Sequence, residues 1–186
     1  PAALRFPEAS DWHGLLQMTP PLDASVAHAA TGLSDDIWSR LVVLHPGNHG
    51  SANGWSVDRF QALGHRLTQA GCVVAVTGTE SERGALASWL SEPEVVDLVG
   101  KLDMPGLLGG LAHAKLCVAS STGPLHLASA FGTPVVGLYQ AQAPFWPARW
   151  APLGRGAVLE TRQEAPEGGL DISVQDVADA AFGLLA

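Results

Sequence analysis

From Leu41 onward, short apolar runs alternate with segments of helical periodicity, and this alternation restricts the fold of the 186-residue chain more than any other feature. The runs LVVLH (41–45), CVVAVTG (72–78), VVDL (95–98), LCVAS (116–120) and PVVGLY (134–139) are short and nearly all apolar. Strands of this kind are covered on both faces. Between them, 57–70 sets Phe60, Leu63 and Leu67 at helical spacing and meets a C-terminal stop at Gly71. The stretches 81–90, 104–114 and 123–131 also read as helices. The last helix, 173–185, opens on Ser173 and Asp176 and carries Val174, Val177, Ala178, Ala181 and Leu184 as its apolar stripe. Strands and helices in this order predict right-handed crossovers and a parallel sheet sandwiched by helices, a Rossmann-like α/β fold.

Residues 1–40 lack that rhythm. Pro1, Pro7, Pro20 and Pro21 punctuate the segment, with short helices expected near 21–30 and 34–40, the second capped by Ser34-Asp35-Asp36. It reads as a linker or packing arm ahead of one domain spanning 41–186. A hydrophobic fraction of 47% supplies a core for that domain. The net charge of −8, with no basic stripe, argues against a nucleic-acid partner. It does not argue against an anionic ligand, because backbone N–H groups at a helix start bind phosphate without net positive charge. Cys72 and Cys117 lie in apolar runs and read as buried thiols, and no Cys/His spacing suggests zinc. No apolar run approaches the ~20 residues of a membrane span, and no signal-peptide pattern is present. A cytoplasmic protein is expected, and the start at Pro1 rather than Met suggests a piece of a longer one.

In parallel sheets, ligands bind beyond the carboxyl ends of the strands. The informative segments are therefore 45–55, 77–83, 100–104, 120–126 and 140–150. In SSTGPLH (120–126) a strand turns directly into a helix. Pro124 suits the first turn, Gly123 permits close approach of a ligand, and Ser121 and Thr122 add hydroxyls beside free N–H groups. These residues make either an anion cradle or an ordinary helix cap. His126 is either a ligand-facing imidazole or a packed helical one. HPGNHGSANGW (45–55) is long for a compact α/β connection, which favours function over a plain surface loop. Glu80 and Glu82 sit where ribose hydroxyls are bound in other nucleotide folds, or simply favour a helix start. Lys101 is a candidate at the same edge or a solvated lysine. PFWPARW (144–150) is either a rigid lid whose Arg149 meets a phosphate or a packed aromatic connection.

Taken in order, these segments resemble a known family. HPG at 45–47 is followed by Trp55, Phe60 and Leu63; TG at 77–78 by Glu82; then come GKL at 100–102, STGPLHLASAFGTPVVGLY at 121–139 and PARWAPLG at 147–154. This set resembles the carboxy-terminal domain of glycosyltransferase family 9, the lipopolysaccharide heptosyltransferases. RFP at 5–7 is similar to the segment leading into that domain. The resemblance implies one half of a GT-B enzyme, a transferase of lipopolysaccharide biosynthesis whose carboxy-terminal half binds a nucleotide-diphosphate sugar, typically ADP-heptose. It implies donor contacts at Gly47, Asn48, Glu82 for the ribose, Leu102 against the base, and Ser121, Thr122, Gly123 and His126 at the diphosphate-sugar. Ser51, Asn53, Lys101 and Pro124 complete the candidate substrate-binding set. No catalytic residue, metal or cofactor is assigned to this chain. The acceptor, a lipopolysaccharide-core or other glycan, and the Asp proposed as base would belong to an amino-terminal domain with no counterpart here, so the chain alone is expected to be inactive. Peripheral association of the full-length protein with the inner face of the inner membrane would follow.

Two positions depart from the pattern. Many heptosyltransferases carry Lys two places before the Trp, where this chain has Asn53, and Asp before the Thr-Gly, where it has Ser121. One change removes a cation and the other a carboxylate, so they partly offset, and the sugar need not be heptose. Two other readings stand beside the transferase: a binding-only or regulatory module, and a nucleotide-sugar epimerase of the same architecture, which would need acidic catalytic residues among Glu80, Glu82 and Asp103. The alignment makes one direct prediction. Asn53→Lys should tighten ADP binding by about 1.5–3 kcal/mol if the new charge is well placed, less if it is solvated, and the gain should shrink with salt. Calorimetry with ADP and adenosine checks it, since equal effects on both ligands would put residue 53 away from the phosphates.

Overall fold

The computed structural model describes residues 24–47, 54–144, 146–166 and 168–186. Two short helices, α1 (Ala24–Thr31) and α2 (Asp35–Trp38), precede the alternation. Then follow β1 (Leu41–His45), α3 (Val57–Gln69), β2 (Val73–Val76), a 3-10 turn at Glu80–Glu82 running into α4 (Arg83–Leu90), and β3 (Val95–Asp97). The second half contains α5 (Met104–His113), β4 (Leu116–Ser120), α6 (Gly123–Ala130), β5 (Val135–Gln140), α7 (Pro147–Trp150), β6 (Gly156–Thr161) and α8 (Val174–Leu185). The six strands form one sheet in the order β3-β2-β1-β4-β5-β6, each neighbouring pair parallel. This is the Rossmann order, in which the chain changes direction between β1 and β4.

The apolar strands bury alternate residues on opposite faces. Val42, Leu44, Val74, Val76, Val118 and Leu138 face one layer of helices, filled by Phe60, Leu63 and Leu67 of α3, Trp89 of α4 and Val177 and Ala181 of α8. Leu41, Val43, Ala75, Cys117 and Ala119 face the other, filled by Leu111 of α5, Leu125 and Ala128 of α6, and Trp38. Each large side chain buried in this way contributes roughly 1.5–3 kcal/mol. The described part of the irregular first segment also packs. Trp38 is buried with His28 stacked on it at 5.7 Å, and Ala30 lies so close to Gly106 of α5 that a Cβ there would stand 2.8 Å away.

Helix starts follow local chemistry. Ser56 Oγ accepts from the Arg59 N–H at the head of α3, Asp103 from Gly106 at α5, and Ser173 from Asp176 at α8. Gly71, at φ 87°, closes α3 as its sequence position predicts.

Three features differ from the sequence reading. The first is β6, which the sequence reading leaves out; it is an edge strand with an exposed first residue, and its alternation is weak because solvent takes part of both faces. The second is the start of the fourth helix, where residues 80–82 form a 3-10 turn before the α-helix begins at Arg83. The third is Cys72, which is only half-buried, whereas Cys117 is fully enclosed and burial pushes its thiol up to about 12.

The segment leading into α8 folds back over the entrance to α3. Trp55 Nε1 donates to Ile172 O at 2.8 Å, Leu170 N to Gly54 O at 2.9 Å, and the Arg59 guanidinium to Ile172 O and Asp171. Both described flanks of the long connection after β1 are thereby fixed: His45 by the sheet, Trp55 by these bonds.

Candidate functional site

The register between β1 and β4 places His45 opposite Ala119, so the segments leaving these two strands start side by side at the reversal of the sheet. At the end of β1, His45 is buried and its Nδ1 lies 3.0 Å from Thr77 Oγ1, at the end of β2. Two residues on, Gly47 meets the Glu82 carboxylate. A Cβ on Gly47 would fall 2.1 Å from Glu82 Oε1, so the carboxylate occupies the space a side chain would need. Glu82 Oε2 also accepts from the Thr79 N–H at 2.8 Å and the Thr79 hydroxyl at 2.9 Å. These bonds hold the acid against the β1 connection while the residue stays half-exposed.

At the end of β4 the chain enters α6 through Thr122, whose backbone has helix-cap geometry (φ −131°, ψ 165°) but whose side chain makes no cap bond. Thr122 is 6% exposed, and its hydroxyl, like that of Ser120, is buried without a hydrogen-bond partner among the described residues. Leaving such a group unpaired costs about 1–3 kcal/mol. The N–H groups of Gly123 and Leu125 have no partner inside the helix, Pro124 has none to offer, and His126 N reaches Thr122 O at 3.4 Å. A Cβ on Gly123 would meet nothing within 4 Å, and Gly123 is not among the positive-φ glycines, so neither packing nor backbone strain calls for glycine there.

Ser121, Thr122, Gly123 and His126 line a cleft of about 460 Å³ together with Pro144, Arg149 and Trp150. The Trp150 part is braced from below. Tyr139 is buried at the end of β5 and its hydroxyl donates to Trp150 O at 2.6 Å, while Ser121 bonds to the same hydroxyl. Burial pushes the Tyr139 pKa up, and the Ser121 bond opposes this, so the phenol stays protonated. Trp150 Nε1 donates to Pro144 O at 3.0 Å. Sequence reasoning missed this brace. Its signal was a lone tyrosine ending an apolar strand, since a buried phenol needs a polar partner.

The other sequence candidates distribute as follows. Lys101 Nζ pairs with Asp97 at 2.7 Å, and Arg83 holds the same carboxylate at 2.9 Å. Burial raises the Asp97 pKa, but the bonds from Arg83, Lys101 and Val99 outweigh it and the net shift is downward. Leu102 lines a narrow apolar crevice with Thr77 and Leu98 near the ends of β2 and β3. Pro124 sits half-buried in the first turn of α6. Asn48, Ser51 and Asn53 lie outside the described residues. Among the described residues, no cluster of three or more His, Cys, Asp or Glu side chains could hold a metal ion.

Comparison with known proteins gives a consistent result. The sequence model of glycosyltransferase family 9 (heptosyltransferase) matches residues 10–169. A Haemophilus influenzae protein named as a glycosyltransferase is 34% identical over 118 residues, covering 61% of this chain and 34% of that protein. Lipopolysaccharide heptosyltransferase 3 of Escherichia coli is 25% identical over 166 residues, covering 82% of this chain and 46% of that one. The solved E. coli ADP-heptose LPS heptosyltransferase II matches with a TM-score of 0.69 at 23% identity, over 87% of this chain and 50% of that one, a likeness of fold. The chain thus spans about a third to a half of the length of these relatives.

His126 gives the cleft a pH dependence. Burial holds its imidazole below the ordinary value of 6.5. The unfolded chain therefore takes up this proton at a higher pH than the folded chain. The stability contributed by the neutral ring is fully present above about pH 6.5 and is lost as pH falls through the window below it. The Tm advantage of the wild type over His126→Gln should shrink between pH 7.5 and pH 5; parallel Tm curves for the two proteins would contradict it.

Proposed function

The chain belongs to glycosyltransferase family 9, and on that premise we propose that the cleft beside α6 seats the diphosphate of a nucleotide-sugar donor. The observation that carries this reading is the unsatisfied start of α6. Its first N–H groups and the buried Thr122 hydroxyl lack partners among the described residues, where the strand order reverses. A helix start carries roughly half a positive charge, and a diphosphate would satisfy donors that the protein leaves open. Gly123 leaves the approach clear.

The nucleoside extends toward the β2 side of the sheet. Glu82, held against Gly47, accepts the ribose hydroxyls, and Leu102 lies against the base, with Lys101 at the same edge. The family resemblance makes Asn48, Ser51 and Asn53 candidate neutral donors to the phosphates. The donor is ADP-heptose or a close analogue, a reading supported by the donor in the name of the E. coli structure. Transfer is a direct displacement at the anomeric carbon. The acceptor oxygen bonds to that carbon as its proton passes to a base, and the bond to the diphosphate oxygen breaks. The donors around Thr122 and Gly123 stabilise the negative charge that develops on the leaving oxygen.

The acceptor, a glycan of the lipopolysaccharide core or of another surface polymer, and the base that deprotonates it belong to a second domain outside these residues. Among the described residues no helix is long and apolar enough to cross a membrane. The full-length protein works in the cytoplasm, in peripheral contact with the inner face of the inner membrane.

Calorimetry with ADP, UDP and GDP tests the reading. The chain should bind ADP and transfer no sugar alone. Gly123→Val should abolish binding while the domain stays folded, because the added branch enters open space where the diphosphate sits. Unchanged affinity in a folded variant would reduce the start of α6 to a helix cap, and transfer by this chain alone would refute the need for a second domain.

A further inference from the structure

A nucleoside diphosphate brings more negative charge than one helix start can balance. Glu82 adds a further carboxylate on the nucleoside side. The β1 connection supplies no cation at residue 53, which is Asn. His126 tends toward its neutral form because it is half-buried, and can offer a hydrogen bond but little charge near pH 7. Elsewhere on the described surface four basic side chains are held in ion pairs, and Arg66 and Arg155 donate to Gln175 and to Leu184 O. Arg40 pairs with Asp36, Arg59 with Asp171, and Arg83 and Lys101 with Asp97.

Arg149 differs. It lines the same cleft as Thr122 and Gly123, and it is the one Lys or Arg among the described residues lining that cleft. No ion pair engages it among the described residues. Its guanidinium carbon stands 5.0 Å from the centroid of the Trp150 ring, an arrangement that orients a guanidinium while leaving its N–H fork available. The same indole has the His126 ring 6.5 Å away. The turn that carries Arg149 is fixed to the sheet: Tyr139 holds Trp150 O at 2.6 Å, and Ala151 N closes on Pro147 O at 2.7 Å. Its anchor therefore does not depend on the ligand.

We propose that Arg149, oriented by Trp150, is the cation that meets the diphosphate in this chain, together with the N–H groups of α6. The assignment rests on the reading of the cleft as a diphosphate seat. It gives Arg149 a specific role, because charge then reaches the leaving group from the turn that follows β5. The planar fork suits two oxygens of one phosphate or one oxygen from each of two. Tyr139 is then a positioning residue, acting through the Trp150 carbonyl.

Titration calorimetry on the whole chain tests this with ADP and adenosine as probes, at low and moderate salt, for the wild type, Arg149→Gln and Arg149→Lys. Arg149→Gln should weaken ADP binding roughly tenfold to a hundredfold, leave adenosine binding unchanged, and flatten the salt dependence. Arg149→Lys should recover part of the ADP affinity and most of the salt dependence. An Arg149→Gln chain that binds ADP with wild-type affinity and salt slope overturns the assignment. So does one that loses adenosine and ADP equally. A wild-type chain that binds no ADP overturns both the assignment and the diphosphate reading beneath it.

Discussion

Parallel pairing is the constraint from which the remaining architecture follows. A strand that runs beside its predecessor in the same direction cannot return through a tight turn, so each pair of successive strands costs a crossover. The crossovers cover both faces of the sheet, and so the strands are apolar throughout. They also bring every strand to its carboxyl end at the same edge. Because β1 pairs with β2 on one side and β4 on the other, the segments after β1 and β4 diverge and leave a crevice between them. The candidate site lies at that edge, where Thr122 begins a helix and Gly47 gives way to Glu82.

At that edge donors stay unpaired among the described residues. Ser56, Asp103 and Ser173 satisfy their helix starts with side-chain oxygens, whereas Thr122, in similar backbone geometry, does not. Its hydroxyl is buried without a partner among the described residues, at a cost of about 1–3 kcal/mol that packing elsewhere must offset. A local sacrifice of stability at a cleft suits a surface prepared for a ligand. The proposed seat would also reconcile anion binding with a net charge of −8, because oriented N–H groups and the Arg149 guanidinium would act locally.

Much of this was legible in the residues. The five apolar runs appear as β1–β5, and Thr122-Gly123-Pro124 announced a strand running straight into a helix. Patterns of this kind are local, and local patterns survive into the fold. What stayed hidden depends on pairings that no local pattern encodes. The strand β6 is set by its pairing with β5 rather than by its own alternation. The pairing of Lys101 with Asp97 arises beyond any helix, where a spacing of four residues carries no contact rule. The bond from Tyr139 to the Trp150 carbonyl spans eleven residues and two elements. Position after β2 suggested a ribose contact for Glu80 or Glu82, and family resemblance singled out Glu82 and proposed Leu102 against the base.

The central claim is that the start of α6 is the seat of a diphosphate, and it can be read amide by amide. In a nitrogen-15 NMR titration of the labelled chain, ADP should shift the Gly123 and Leu125 amide resonances in a saturable way, and adenosine should leave both nearly unmoved. ADP binding that saturates with those two amides unshifted, and with its changes centred on another part of the sheet edge, would contradict the account.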